Sequence, residues 1–391
     1  MKEFNKIACT EELKAILAYW MRDMVDAVHG GYLGRIDAQD RIDESAGKGL
    51  VLNSRILWAF SAAYQTLGEG EYEVYATRAY DYLVERFMDH ESGGMYWMLD
   101  HMGQPLDTKK QIYAQAFAIY GLSEYYKVSQ DPRARDTAMD LFDAIERYSF
   151  DTVSNGYFEA FDREWNLLDD LRLSDKDANE AKTMNTHLHV LEAYSNLYKV
   201  TQDQRVYTQL RNLMELFLDK FLNPKTYQYE LFFDEDWNLK SNEISYGHDI
   251  ETAWLLYEAA ATLEDEDLLE RTGVLAVQTV EATLPFFDTD GALFNAGVPG
   301  QIEDKDKHWW PQAEALVGLV NAYQLSGREI FWAQAKKCWG FIQQQLIDRH
   351  HGEWIWGIYA DGSQMQEDKA GPWKCPYHNG RAMIEMIKRL D

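Results

Sequence analysis

The sequence predicts an all-α fold, an (α/α)6 barrel (a six-fold α/α toroid) with short β-hairpins at one end. Two observations predict it. Six segments of similar pattern recur along the 391 residues, and two kinds of helix alternate in the intervals between them. A repeat of tens of residues indicates an architecture built from copies of one supersecondary unit. A repeat that runs the length of the chain therefore predicts one closed ring.

Each repeated segment has the pattern of a β-hairpin. Aromatic and apolar residues alternate with polar ones around a Gly or Asp turn, which predicts two antiparallel strands. The segments begin at Gly30, Gly93, Asn155, Thr226, Asp290 and His351. Equivalent positions within them are Tyr32, Met95, Tyr157, Tyr229, Leu293 and Trp354, at steps of 63, 62, 72, 64 and 61 residues.

The helix after each hairpin is apolar nearly all round and rich in Ala and Gly, which predicts burial on every side. We expect these six helices to form the inner ring. Their predicted ranges are Val51–Leu67, Gln111–Ser129, Lys182–Thr201, Gly247–Leu263, His308–Leu325 and Trp373–Leu390.

The helix before each hairpin carries more charge, as an outer shell requires. The predicted ranges are Thr10–Val28, Glu71–Met88, Arg133–Tyr148, Arg205–Leu222, Leu268–Leu284 and Glu329–Leu346. No low-complexity stretch or linker separates the repeats. The sequence therefore predicts one catalytic domain over residues 1–391.

Composition restricts the partners. The net charge is −27, and an acidic surface repels phosphate backbones, so nucleic acid is not expected as a partner. No apolar run reaches the length of about 18 residues that a membrane span needs. The N-terminal residues have no uncharged apolar core of a signal peptide, and three unpaired-looking cysteines fit a reducing compartment. We therefore expect a cytoplasmic protein with no membrane partner.

The first turns of the inner helices are unusually polar and aromatic. Each inner helix follows a hairpin, so all six N-termini should open at the same end of the ring and converge on one cavity. Buried polar residues need partners or a solvated cavity, which favours a functional site over scattered polar residues. The residues concerned are Asn53, Arg55, Trp58, Tyr113, Asn185, His187, His189, His248, Glu251, Trp309, Trp310, Glu314, Trp373, His378 and Arg381.

Spacing limits what the histidines can do. His187 and His189 are two residues apart, about 200° around a helix, so only one of them can face the cavity. The triplet HLH resembles a metal site on a strand rather than on a helix, and no HExxH is present, so no metal is expected. No glycine-rich nucleotide fingerprint is present either, and no cofactor is expected.

The residue types favour a sugar as the small-molecule substrate. Tryptophan faces suit stacking on sugar rings, and two histidines from different helices suit proton abstraction and return at a carbon beside a carbonyl. Arg55 and the helix N-termini could stabilise the enediolate formed between these steps. This predicts an aldose epimerase or isomerase. Glu251 and Glu314 could instead flank a glycosidic bond, so an inverting glycosidase and a non-catalytic sugar-binding ring remain alternatives.

Five motifs, in order along nearly the whole chain, resemble the N-acylglucosamine 2-epimerase superfamily. They are NSRILW, MNTHLHVLEAY, SYGHDIE, WWPQAEA and GPWKCPYHNGR. The resemblance implies reversible epimerisation at C2 of a reducing-end sugar after ring opening. A disaccharide such as cellobiose ranks first as substrate and free mannose second. An aldose–ketose isomerase of the same superfamily is a further alternative.

The resemblance also implies individual roles. His248 and His378 match the acid/base pair that exchanges the C2 proton, and His189 rather than His187 matches a third active-site histidine. The remaining matches bind the substrate: Arg55, Tyr113 and Asn185 at O1 and O2, Glu251 and Glu314 at histidines and hydroxyls, Trp310 and Trp373 at the sugar rings.

Overall fold

The computed structural model describes residues 2–390, in which helices form two concentric rings. The inner helices are α2 (Leu50–Leu67), α4 (Ile112–Ser129), α6 (Met184–Thr201), α8 (Tyr246–Leu263), α10 (Trp309–Ser326) and α12 (His378–Arg389). The outer helices are α1 (Lys6–Asp23), α3 (Gly70–Tyr82), α5 (Pro132–Tyr148), α7 (Gln204–Leu216), α9 (Glu266–Thr283) and α11 (Glu329–Phe341). The predicted alternation of inner and outer helices is confirmed.

Contacts between helices close the ring. Each inner helix packs against the next, and α12 packs against α2. Each of the outer helices α3 to α11 packs on the inner helix before it in the chain, whereas α1 packs on α12. The two ends of the chain therefore supply one helix pair together, and this pair completes the (α/α)6 barrel. None of the helices in residues 2–390 has the length and apolar character to cross a membrane.

Short strands crown one end of the barrel. They are β1 (Lys48–Gly49), β2 (Met98–Leu99), β3 (Pro105–Asp107), β4 (Lys110–Gln111), β5 (Ala160–Phe161), β6 (Lys182–Thr183), β7 (Phe232–Phe233), β8 (Ile244–Ser245), β9 (Ala296–Val298), β10 (Gln301–Asp304), β11 (Lys307–His308) and β12 (Gly357–Ile358). Two predicted hairpins have regular strands, β2–β3 and β9–β10, whereas the other four contain a single bridge such as Phe161↔Leu167. The strand before an inner helix pairs with the hairpin of the next repeat, as β4 does with β5. Sheet pairing therefore ties neighbouring repeats together.

The two helices at the ends of the chain differ from the predicted ranges. The last inner helix begins at His378 rather than Trp373, because Pro376 disfavours helical geometry at Cys375 before it. The first outer helix runs from Lys6 to Asp23 instead of Thr10 to Val28. Its start is set by Asn5, whose side chain accepts a hydrogen bond from the Ala8 amide at 2.9 Å.

An ion pair between a buried lysine and an aspartate joins the same two segments in five of the six repeats. A lysine at the strand before the inner helix, or in the equivalent segment, donates to an aspartate in the turn after the outer helix. The pairs are Lys48–Asp26, Lys110–Asp89, Lys182–Asp151, Lys307–Asp288 and Lys369–Asp348. The fourth repeat has Asn223 and Ile244 at these positions. Ile244, which stands where the other repeats have the lysine, lies four residues before His248.

Replacing Lys182 with methionine is expected to lower the free energy of unfolding by about 3–5 kcal/mol, because it leaves the buried carboxylate of Asp151 without its ion-pair partner. Lys182 Nζ lies 2.7 Å from Asp151 Oδ2, and the two side chains are 0% and 9% exposed to solvent. Urea unfolding at neutral pH measures the change. The matched control is Lys240→Met, which breaks the solvent-exposed pair with Asp234 and should lower the free energy of unfolding far less. Equal losses in the two variants would contradict the interpretation.

Candidate active site

The first turns of the inner helices meet at the hairpin end of the barrel, and most of the predicted site residues come together there. Arg55 Nη2 on α2 donates to the Tyr113 hydroxyl on α4 at 2.7 Å. The Tyr113 ring packs edge-on against His189 on α6, with 5.1 Å between ring centroids. His378 on α12 bonds Glu314 on α10 through Nδ1 at the same end of the barrel.

His378 is held by a carboxylate. Its Nδ1 lies 2.7 Å from Glu314 Oε1, and the other oxygen of Glu314 accepts from the indole nitrogen of Trp254 at 3.1 Å. Burial holds the pKa of His378 well below its ordinary value, so the ring is neutral at neutral pH. With Glu314 ionised, the ring proton lies on Nδ1 and Nε2 keeps its lone pair. Such an imidazole can accept a proton at Nε2.

His189 is held in the same way by Glu192, one helical turn further along α6. Its Nδ1 lies 3.0 Å from Glu192 Oε2. Burial opposes the charge on Glu192, but Arg381 and His189 more than offset it and lower the pKa of Glu192 to about 2. Glu192 is therefore ionised at neutral pH and fixes the tautomer of His189. The spacing of three residues after His189 is the signal in the sequence that could have identified Glu192.

His187 has a structural role. Its Nδ1 donates to the Thr183 carbonyl and its Nε2 accepts from the Tyr157 amide at 2.9 Å, so both ring nitrogens are used. The fourth residue of α4 and of α10, Gln115 and Gln312, binds the hairpin backbone from the equivalent position. Of the two histidines, only His189 contacts Tyr113 and Glu192 at the candidate site.

His248 and His378 both contact the ring of Trp310. The centroid of Trp310 lies 4.7 Å from that of His248 and 5.6 Å from that of His378. His248 Nδ1 lies 2.8 Å from the hydroxyl of Ser245, the residue before α8. Burial lowers the pKa of His248 to about 4. The two predicted acid/base residues are therefore neutral imidazoles, each anchored at Nδ1 and both in contact with the same tryptophan.

Arg55 is a buried cation without a carboxylate partner among residues 2–390. It is 2% exposed, and its guanidinium packs over Phe117 and Tyr377, at 4.0 and 4.6 Å from the ring centroids. Its Nε has no hydrogen-bond partner. Cys375 Sγ lies 4.0 Å from Nη1, and burial raises the pKa of this thiol, so it is neutral. A desolvated guanidinium with free donors is suited to bind negative charge on a ligand.

Asn185 and Trp373 lie at the edge of the site. Asn185 lines a cavity of about 100 Å³ together with His248 and with the loop at residues 171–180. The side-chain oxygen of Asn185 is buried without a partner. Trp373 lies before α12, 6.4 Å from the Tyr113 ring and 6.1 Å from that of Trp97. The long loop after the third hairpin, which the sequence does not explain, thus covers one side of the site.

Arg381 lies beneath the histidines and joins three carboxylates. Its Nη1 donates to Glu192, and its Nη2 donates to Glu251 Oε1 at 2.5 Å and to Glu314 Oε1 at 2.7 Å. Ligand atoms of Glu251, Glu314 and His378 lie within 4.8 Å of one another, the spacing of a metal site. The guanidinium already supplies the positive charge that these two carboxylates need.

Comparisons with known proteins identify sugar epimerases as relatives of this chain. A cellobiose 2-epimerase from Bacteroides fragilis is 49% identical over 390 residues, which cover 99% of this chain and 100% of the relative. A solved structure of a sugar epimerase from a ruminal bacterium superposes with a TM-score of 0.94 at 40% identity and 98% coverage of both chains. The cellobiose 2-epimerase structure from Bacillus thermoamylovorans superposes with a TM-score of 0.93 at 38% identity, covering 98% of this chain and 99% of that one.

The barrel, its histidine site and these similarities define an isomerase that acts on carbohydrate. Residues 31–382 match the family of N-acylglucosamine 2-epimerase, and the chain belongs to this family. It is a sugar 2-epimerase.

Proposed function

We propose that the protein interconverts the glucose and mannose configurations at C2 of the reducing-end sugar of cellobiose, giving glucosyl-mannose. The names of the relatives support the disaccharide, since a second cellobiose 2-epimerase, from Dictyoglomus turgidum, is 40% identical over 376 residues. The observation that carries the chemistry is the pair of neutral imidazoles, His248 and His378, each anchored at Nδ1 and both in contact with Trp310.

The reaction needs a base and an acid at opposite faces of C2 in the open-chain sugar. One neutral imidazole takes the C2 proton at Nε2, which leaves an enediolate and an imidazolium. The negative charge of the enediolate raises the pKa of the other imidazole, which takes up a solvent proton at Nε2 and delivers it to the opposite face of C2, while the first histidine returns its proton to solvent. Arg55, which has free donors and no carboxylate partner in the described part of the chain, binds the enediolate oxygen together with the Tyr113 hydroxyl. Trp310 and Trp373 offer faces for the sugar rings.

The geometry argues against an inverting glycosidase built on Glu251 and Glu314. Both carboxylates bond the same nitrogen of Arg381, at 2.5 and 2.7 Å. Inverting enzymes separate their two carboxyl groups by about 6.5–9.5 Å so that a water molecule fits between them. Two carboxylates joined by one N–H donor group leave no such space.

Proton NMR in deuterated water tests the proposal. The purified protein is incubated with cellobiose, and separately with mannose, without added cofactor. The expected result is glucosyl-mannose from cellobiose, with deuterium entering C2 of the reducing-end sugar. Turnover of mannose but not of cellobiose would show that the substrate is a monosaccharide. A ketose as the sole product would indicate an aldose–ketose isomerase. No exchange on either sugar would overturn the proposed chemistry.

We expect kcat/KM to stay near its neutral value as the pH falls from 7 to about 5, and to drop nearer pH 4. The base must be a neutral imidazole, and burial places the pKa of His248 at about 4, below the ordinary value near 6.5. Initial rates across this range, with circular dichroism to confirm folding at each pH, measure the effect. An acid limb centred near pH 6.5 in folded protein would contradict it.

A further inference from the structure

One guanidinium touches the carboxylates that hold two different histidines. Arg381 Nη2 and His378 Nδ1 donate to the same oxygen of Glu314, both at 2.7 Å. On its other side, Arg381 Nη1 donates to Glu192, whose second oxygen accepts from His189 Nδ1. The arginine therefore stands between two histidine–carboxylate pairs that come from α6, α10 and α12.

The surroundings leave Arg381 little freedom to move. It is 1% exposed, and its guanidinium packs over the rings of Trp254 and Tyr377, at 4.8 and 4.3 Å from the centroids. The Tyr377 hydroxyl donates to Glu192 and also accepts from Arg381 Nη1. The planar fork of an arginine fixes the directions of its bonds in a way that a lysine ammonium cannot.

We propose that Arg381 is a positioning residue that orients His189 and His378 together, by fixing the carboxylate that each imidazole bonds through Nδ1. This role rests on the proposed function. In a catalytic dyad, a carboxylate that holds an imidazole sets its tautomer, and loss of that hold costs rate even when the geometry survives. Arg381 favours the ionised form of both carboxylates, in Glu314 against the burial that raises its pKa, and its hydrogen bonds hold both in place, so it fixes which nitrogen of each ring faces the substrate.

The test combines steady-state kinetics with NMR of the histidine rings. Arg381→Lys and Arg381→Met are compared with Arg389→Met, a control on the same helix whose arginine bonds Glu258 and Glu385. We expect kcat to fall about 10-fold for the lysine variant and about 100-fold for the methionine variant, the range for partners that orient a histidine ligand. KM should change less than about threefold, and the control should match the wild type.

Nitrogen-15 NMR of histidine-labelled protein gives a readout that a merely structural role would not move. The wild type should show His189 and His378 with the proton on Nδ1, and Arg381→Met should shift this assignment for both rings while His187 stays unchanged. A folded Arg381→Met variant with wild-type kcat, or with wild-type ring signals, would overturn the proposal.

If Arg381→Met does not fold, the variants Arg381→Lys and Glu192→Gln test the positioning role instead. Glu192→Gln keeps the shape but removes the charge, and we expect kcat to fall about 10-fold with KM unchanged. Wild-type kcat in the folded lysine and glutamine variants would overturn the proposal. Failure of the proposed function can be distinguished from failure of the positioning role. The first would appear as a wild-type protein without epimerase activity, whereas the NMR signals of the imidazole rings would still report whether Arg381 orients the histidines.

Discussion

Replacing His378 with asparagine is expected to abolish epimerisation, lowering kcat by about 10³-fold, the middle of the range for general acid–base catalysis. Asparagine keeps a donor that can reach Glu314, so the buried carboxylate is not left without a partner. What it removes is the Nε2 atom to which we assign transfer of the C2 proton. The same substitution at His248 should also abolish epimerisation. Product analysis from cellobiose measures both.

Deuterium exchange makes the same variants more informative. With one histidine missing, the other can still take a proton and return a deuteron to the same face of C2. We expect one variant to exchange only the glucose epimer and the other only the mannose epimer, with neither forming the opposite product. This assigns each base to a face. Epimer formation at near-normal rate by either variant would show that the two histidines are not the pair.

His187→Gln is the matched control for these histidine variants. His187 bonds the hairpin backbone, and glutamine already has this role in α4 and α10 at Gln115 and Gln312. The variant should fold and keep its kcat. A large loss of kcat in folded His187→Gln protein would mean that histidines on α6 affect the site through the backbone rather than through the rings.

The repeat of the sequence predicted the ring because local patterns determine it. Each inner helix is apolar all round and each outer helix is amphipathic, and these periods are visible without knowledge of any contact. The start of the last inner helix was wrong by five residues because the pattern of apolar residues extends across Pro376, which disfavours helix at the residue before it. The hairpins were placed correctly, but their pairing between repeats was not predicted, since it joins residues about 50 apart.

The sequence indicated where the candidate site lies, but not which side chains are hydrogen-bonded to each other within it. Histidine, arginine and tryptophan at helix starts indicated a site because all six starts share one end of the barrel. The partner of each group comes from another helix, as Arg381 meets Glu192 across 189 residues of sequence. Residues on different helices have no fixed separation in the sequence, so a sequence pattern does not reveal such pairs. Arg381 stood in the predicted cluster without a role, and Glu192 was absent from it, for this reason.

Arg55→Met is the substitution for which we expect stability and activity to change in opposite directions. Arg55 is buried, has no carboxylate partner in residues 2–390, and leaves Nε without a hydrogen bond. A buried charge without a counter-ion destabilises the folded protein, so methionine of similar length should leave the free energy of unfolding unchanged or raise it. The fold, on this argument, does not require the arginine.

Catalysis, by contrast, is expected to require Arg55. Loss of a donor to a developing oxyanion costs about 10²–10³-fold in kcat, or roughly 3–4 kcal/mol of transition-state stabilisation. We expect Arg55→Met to lose kcat in this range with KM changed less than about threefold, since the enediolate charge exists only after the C2 proton has left. Tyr113→Phe, which removes one neutral donor, should lose less. Urea unfolding and steady-state kinetics on the same preparations measure both effects. Strong destabilisation of the variant would show that Arg55 is needed for folding. A variant that only raises KM would show that Arg55 binds the ground state rather than the enediolate.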